Sequence, residues 1–173
     1  VTTILRGNAV ALRPATGADV PALAKIRLLP EVRRRWRGDG ADMAAAVAND
    51  LADEDIQTFV ILYGDEVAGA IQWGSEEEPD YRHASVDIFV DPALHGRGVG
   101  TDAVRTLVRH LLTDHGYHRL TIDPAADNAP AIRCYEKVGF RPVGVMRRYE
   151  RALDGTWHDG LLMDLLADEF VDR

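Results

Sequence analysis

Residue types and spacings that could do chemistry fall in three places along this chain. The stretch His95-Gly96-Arg97-Gly98-Val99-Gly100-Thr101 alternates three glycines with other residues directly before an amphipathic run. The first-turn N–H groups of a helix have no internal acceptor, and with the helix dipole they form an anion site. Glycines let a phosphate reach those groups without meeting a Cβ, and Arg97 could add a charge-assisted bond. The second place is Asp87, inside the apolar run Ala84-Ser85-Val86-Asp87-Ile88-Phe89-Val90. A carboxylate buried in a strand is costly unless paired, and period-2 alternation puts it on the face opposite Val86 and Ile88. A cationic amine is one partner, which Asp87 would hold or relieve of a proton; an arginine in a structural ion pair is another. The third place is the acidic cluster Glu76, Glu77, Glu78 and Asp80, near Trp73 and Tyr81. Such a run reads as a solvated loop or as a surface that selects cations.

Competing chemistries are weaker. The dinucleotide fingerprint GxGxxG sits early in a βαβ unit, whereas here the spacing is GxGxG past mid-chain, and the phosphate-loop pattern GxxxxGK[ST] is absent. A Gly-rich turn with no ligand stays open. The single cysteine, Cys134, reads as a small buried side chain beside Tyr135 rather than as an acyl-carrying nucleophile. The six histidines are scattered and no Cys/His set has zinc spacing, so no metal is expected.

The formal net charge is −8, from 28 acids against 20 basic residues. That balance argues against a nucleic-acid partner and permits a cationic one. No apolar run approaches the roughly 20 residues needed to span a bilayer, and the opening VTTILRGNAVALRP lacks the pattern of a secretory signal. The expectation is a cytoplasmic protein with no membrane partner. At 173 residues and 46% hydrophobic content, one domain with a sizeable core is expected over 1–173.

These residues must be positioned by alternating and 3.6-period elements. Strands are predicted over 9–13, 57–63, 67–73, 84–90, 119–123, 142–151 and 157–166. Helices are predicted over about 16–28, closed by Pro30, over 43–51, from Val99 towards Gly116, and over 130–138, closed by Gly139. The basic patch Arg33-Arg34-Arg35-Trp36-Arg37 leads into a loop at Gly38-Asp39-Gly40. The class is α+β, mixed α/β.

The strand ending Val86-Asp87-Ile88-Phe89-Val90, followed by His95-Gly96-Arg97-Gly98-Val99-Gly100, resembles the acetyl-CoA motif of the GCN5-related N-acetyltransferases, (Gln/Arg)-x-x-Gly-x-(Gly/Ala). His95 stands where Gln or Arg is usual. The stretch Asn128-Ala129-Pro130-Ala131-Ile132-Arg133-Cys134-Tyr135-Glu136-Lys137-Val138-Gly139-Phe140 resembles that family's N-x-x-A-x-x-x-Y-x-x-x-G-F segment, in the expected order. Within the family, Asp123-Pro124 with Asn128 and the AIRCYEK run is similar to the aminoglycoside 6′-N-acetyltransferases. So are Arg35-Trp36-Arg37-Gly38 and residues 58–71.

The resemblance implies a central, mostly antiparallel, twisted sheet of about seven strands, splayed between the fourth and fifth, with about four helices. It implies acetyl-CoA as cosubstrate, held by Ile88, Phe89 and Val90, by His95, Gly96, Arg97, Gly98, Val99, Gly100 and Thr101, and by Asn128, Ala131 and Tyr135. Direct transfer to a primary amine is implied, with Tyr135 as general acid, Asp87 as base or anchor, and a backbone N–H near Phe89 or Val90 for the oxyanion. The acceptor would be a cationic small molecule, an aminoglycoside, met by Trp36, Glu76, Glu77, Glu78, Asp80, Asp87 and Asp123. The opening segment also resembles acetyltransferases of protein N-termini or small amines, and a non-catalytic CoA-binding regulatory domain is the third possibility. A monomer or homodimer fits the family.

Overall fold

The computed structural model describes residues 3–36 and 40–173. Arg37, Gly38 and Asp39, part of the expected loop, lie outside the described residues. The strands are β1 (Leu5–Arg6), β2 (Val10–Pro14), β3 (Ile56–Tyr63), β4 (Glu66–Glu76), β5 (His83–Val90), β6 (Arg119–Ile122), β7 (Arg141–Arg151) and β8 (Trp157–Leu166). The helices are α1 (Val20–Arg27), α2 (Pro30–Arg33), α3 (Met43–Leu51), α4 (Val99–Thr113) and α5 (Ala129–Val138).

The strands form one sheet in the order β1-β2-β3-β4-β5-β6-β8-β7. Every neighbouring pair is antiparallel except β5 and β6. Both faces are covered. On one, Val104, Leu107, Val108 and Leu111 of α4 are fully buried against Leu12, Ile61, Ile71, Val86 and Leu120. They are the i, i+3, i+4, i+7 stripe of an amphipathic helix. On the other face, α1 and α3 cover Val60, Ala70 and Phe89. The buried Asp102 of α4 accepts N–H bonds from Asn8, Ala9 and Val10 at 3.0, 2.7 and 2.9 Å, which ties the β1–β2 turn to the helix that starts at the glycines. Among the described residues no helix is long and apolar enough to cross a membrane.

Among the described residues the sheet has eight strands rather than seven, because the two-residue β1 pairs with β2. Among the described residues there are five α-helices rather than four, because Pro30, besides ending α1, also opens the short α2. Leu29 is extended at ψ 132, as the residue before a proline is pushed to be, so α1 has already stopped.

The parallel pair β5–β6 is joined only at Ala84↔Leu120 and Ser85↔Thr121. Past these pairs the strands part, since β6 ends at Ile122 and Pro124 has no N–H to donate to a ladder. The register shifts between β3 and β4, where Ile61 faces Gly69 and Leu62 faces Val67, leaving Ala68 extra. Gly69 has φ 156, and a Cβ on it would lie 2.1 Å from the Phe89 carbonyl oxygen. Glycine is what lets β4 approach the end of β5.

Candidate active site

The splay opens a cavity of about 900 Å³. Its walls come from the end of β5 (Asp87, Ile88, Phe89, Val90), the loop into α4, the end of β6 (Asp123), α5 (Ala131, Cys134, Tyr135) and β7 (Tyr149, Glu150, Arg151). A smaller pocket of about 340 Å³ is lined by Arg35, Trp36, Asp50, Asp53, Ile56, Gln72, Asp87 and Glu150. Arg35, Trp36, Asp87 and Glu150 line both spaces.

The glycine loop is a backbone cradle. Gly96 and Gly98 have φ 79 and φ 77, and Gly98 is the N-cap of α4. A Cβ on either would meet no protein atom within 4 Å. Glycine is therefore required by the left-handed turn, not by crowding from the protein. The first bond of α4 runs from the Asp102 N–H to Gly98 O at 3.0 Å. Among the described residues, the N–H groups of Val99, Gly100 and Thr101 find no acceptor. His95 closes the loop onto the strand by donating from Nε2 to Val90 O at 3.2 Å.

The end of β5 presents backbone to the gap. The Asp91 N–H bonds Ala68 O at 2.7 Å and so points at β4. Alternation turns the N–H and C=O of Val90 the other way, into the splay. Ile88 points the same way, but its N–H bonds the Asp87 carboxylate at 3.0 Å. Phe89 faces β4, so Val90 is the open donor of the two residues expected to supply one.

Asp87 is open to the cavity, yet its surroundings exclude much of the water. That lost hydration comes first and the Asp123 charge second in pushing its carboxyl up to about 7. Asp123 Oδ2 accepts from the Tyr149 hydroxyl at 2.5 Å. The Tyr135 ring is buried and packs edge-on against Phe140, with centroids 6.4 Å apart. Its hydroxyl has no hydrogen-bond partner among the described residues. Burial first, then the Asp87 charge, raises its pKa well above the ordinary tyrosine value, so it stays protonated. The Cys134 Sγ lies 3.2 Å from Thr101 Oγ1, and burial raises its thiol pKa, the opposite of an activated nucleophile.

The structure thus brings together Trp36, Asp87, Ile88, Phe89, Val90, His95, Gly96, Gly98, Val99, Gly100, Thr101, Asp123, Asn128, Ala131 and Tyr135. Trp36 packs edge-on against Phe89 with centroids 4.9 Å apart. Arg97 does not line the cavity and is exposed beside it. Glu76, Glu77, Glu78 and Asp80 are not in the cavity either. The β4–β5 ladder runs from Gly69↔Val90 at the cavity to Glu76↔His83 at its other end, and the acids sit beyond that end. Glu77 is engaged there by the Tyr117 hydroxyl at 2.5 Å and by Arg82 at 3.0 Å.

Asp50, Asp53, Gln72, Tyr149 and Glu150 line the site and were missed by the sequence reading. The acidic run Asp53-Glu54-Asp55 was a signal of the same kind as residues 76–80. Tyr149 and Glu150 had no local signal at all.

A family model described as "Acetyltransferase (GNAT) family" matches residues 21–140. An aminoglycoside N(6′)-acetyltransferase type 1 of Klebsiella pneumoniae is 28% identical over 156 residues, 80% of this chain and 77% of the relative. The structure of Mycobacterium smegmatis RimJ in complex with CoA-disulfide superposes with TM-score 0.85 at 25% identity, covering 99% of this chain and 90% of that one. An aminoglycoside acetyltransferase, AAC(6')-Ib, solved in complex with coenzyme A, superposes with TM-score 0.76 at 27% identity, covering 92% and 96%.

Proposed function

Because the chain belongs to the acetyltransferase (GNAT) family, we propose that it transfers the acetyl group of acetyl-CoA to a primary amine of a cationic small molecule, the 6′-amine of an aminoglycoside. The observation that carries this reading is the convergence of Asp87, Asp123 and Glu150 on one cavity beside a backbone phosphate cradle. Carboxylates there suit a polycation, and the similarity to aminoglycoside acetyltransferases supports the same acceptor.

The residues fit acetyl-CoA. The N–H groups at the start of α4, between Gly98 and Thr101, receive the pyrophosphate, and the edge of β5 that faces the splay at Ile88 and Val90 receives the pantetheine amides as an added strand would. When bound, acetyl-CoA supplies an acyl thioester open to direct attack. Asp87 holds the acceptor ammonium and takes its proton; a carboxylate that titrates near neutrality is matched to that task. The Val90 N–H holds the carbonyl oxygen as negative charge develops on it. Tyr135 donates its hydroxyl proton to the leaving sulfur, and the second proton that the acceptor nitrogen loses as the amide forms restores it. Trp36 and the pocket acids Asp50 and Asp53 receive the distal, non-reacting part of the acceptor.

A second reading keeps the chemistry and makes a protein N-terminus or another small amine the acceptor. The higher TM-score to the RimJ structure, 0.85 against 0.76 for the aminoglycoside enzyme, favours it. Thiol release from acetyl-CoA, run against kanamycin-type aminoglycosides, a panel of other amines and N-terminal peptides, separates the readings. Release with aminoglycosides is expected. Release with peptides alone moves the acceptor to the second reading, and release with no amine leaves a CoA-binding domain without catalysis.

A further inference from the structure

β7 is irregular where it passes the cavity. Its register against β8 shifts between Met146 and Glu150, and Arg148 sits at φ 49, in the left-handed region that residues with a Cβ avoid. Asp159 of β8 pins this kink, its Oδ1 accepting the Arg148 N–H at 2.8 Å. The two residues that follow, Tyr149 and Glu150, line the cavity. The Tyr149 hydroxyl donates to Asp123 Oδ2 at 2.5 Å, and among the described residues it is the one hydrogen-bond donor to Asp123.

We propose that Tyr149 is a positioning residue of the transfer reaction: its hydroxyl holds Asp123 as an oriented anion and thereby leaves Asp87 as the member of the pair that takes up the acceptor's proton. Two carboxylates sharing a site cannot both ionise freely. A hydroxyl donor stabilises the charged form of the one it touches, so the proton goes to the other. The titratable and charged groups that line the cavity and the smaller pocket with the pair are Arg133, Cys134, Tyr135 and Lys137 from α5, Tyr149, Glu150 and Arg151 from β7, Glu31 from α2, Arg35 after it, His95 from the glycine loop, Asp50 from α3 and Asp53 just past it. Arg35 is committed to Asp127 at 2.6 Å. The Ile88 N–H bonds Asp87 itself. Tyr149 is the neutral donor set on Asp123. The bond to Asp123 is the first cause of a Tyr149 pKa pushed up to about 12, so the proton stays on the tyrosine through the working range.

The kinetic consequence rests on the acetyl-transfer reading; the titration of the pair does not. The test is carbon NMR of the enzyme labelled at aspartate carboxyls, titrated without acceptor, with Asp87→Asn and Asp123→Asn for assignment. In the native protein the step near neutrality is expected on Asp87 alone. In Tyr149→Phe it is expected on both carboxyls, with the upper step raised by about 0.3 unit or more, the statistical minimum for an equally shared proton. The acid limb of kcat/KM moves up with it. Because Tyr149→Phe could disturb folding, Asp159→Ala repeats the test from an exposed residue outside the cavity, and Asp159→Asn, which keeps the acceptor oxygen, is expected to restore the native titration. A step that stays on Asp87 alone in both Tyr149→Phe and Asp159→Ala overturns the proposal, as does a lowered activity plateau with an unmoved limb. Failure of every amine to be acetylated overturns the functional reading instead, and the titration still decides the role of Tyr149.

Discussion

On one wall of the cavity, between the end of β5 and the start of α4, the inward groups are backbone: the Val90 N–H and the N–H groups after Gly98. On the opposite wall they are side chains, with carboxylates delivered by β5, the end of β6, β7 and the region after α3. The first wall suits a ligand that never changes, because a backbone cradle offers the same donors whatever side chains surround it. The second suits a ligand that differs from enzyme to enzyme, because its contacts depend on which side chains the strands carry. A donor site and an acceptor site that share one cavity but few groups should fail separately.

The largest expected break is at the junction of the two walls. Tyr135→Phe should lower kcat by about 10²- to 10³-fold and leave acetyl-CoA affinity within about twofold, measured by initial rates and calorimetry. On the backbone wall, Gly98→Val forces a β-branched residue to φ 77. A cost of about 1–2 kcal/mol for the left-handed conformation predicts acetyl-CoA binding weakened about tenfold with acceptor KM nearly unchanged. On the side-chain wall, Asp123→Asn should raise the KM for a polycationic acceptor by about tenfold, as loss of a charged hydrogen-bonding partner does, while acetyl-CoA affinity holds. Asp53→Asn, in the smaller pocket, should raise the same KM only about threefold.

The smallest effect is on stability. Asp87 has a folded-state pKa of about 7, above its ordinary carboxylate value. Its neutral form therefore favours the fold below about pH 4, and that contribution is lost as the pH rises through about 7. Asp87→Asn should raise Tm at pH 8, leave it nearly unchanged at pH 4, and abolish most of the activity. An unchanged difference between the two pH values would remove Asp87 as a group held at a cost.

The two walls also differ in how legible they were. The backbone wall is written in one short run, since Gly96 and Gly98 meet positive φ within a few residues of a helix start. The stripe of α4, the 43–51 helix and the strands over 57–63 and 67–73 were equally local, and they stand. Pro30 ends the first helix as its position implied, but it also starts another, which only the extended Leu29 between them reveals. The side-chain wall was legible only at Asp87, an acid in an apolar strand, and at Asp123 and Trp36 through resemblance. Tyr149 and Glu150 reach the site through a kink at Arg148, a residue type that does not announce a left-handed turn. The cluster of residues 76–80 carried the more conspicuous charge, but strand length put it at the far end of the β4–β5 hairpin. Charge along a chain does not say which end of a strand it occupies.

The most direct measurement is a competition. The enzyme is given acetyl-CoA with equal concentrations of kanamycin and an N-terminal peptide, and the products are identified by mass spectrometry and NMR. Acetyl on the 6′-amine of kanamycin, with the peptide untouched, is the expected result. Acetylated peptide beside unmodified kanamycin would contradict the assignment of the carboxylate wall to a polycationic acceptor.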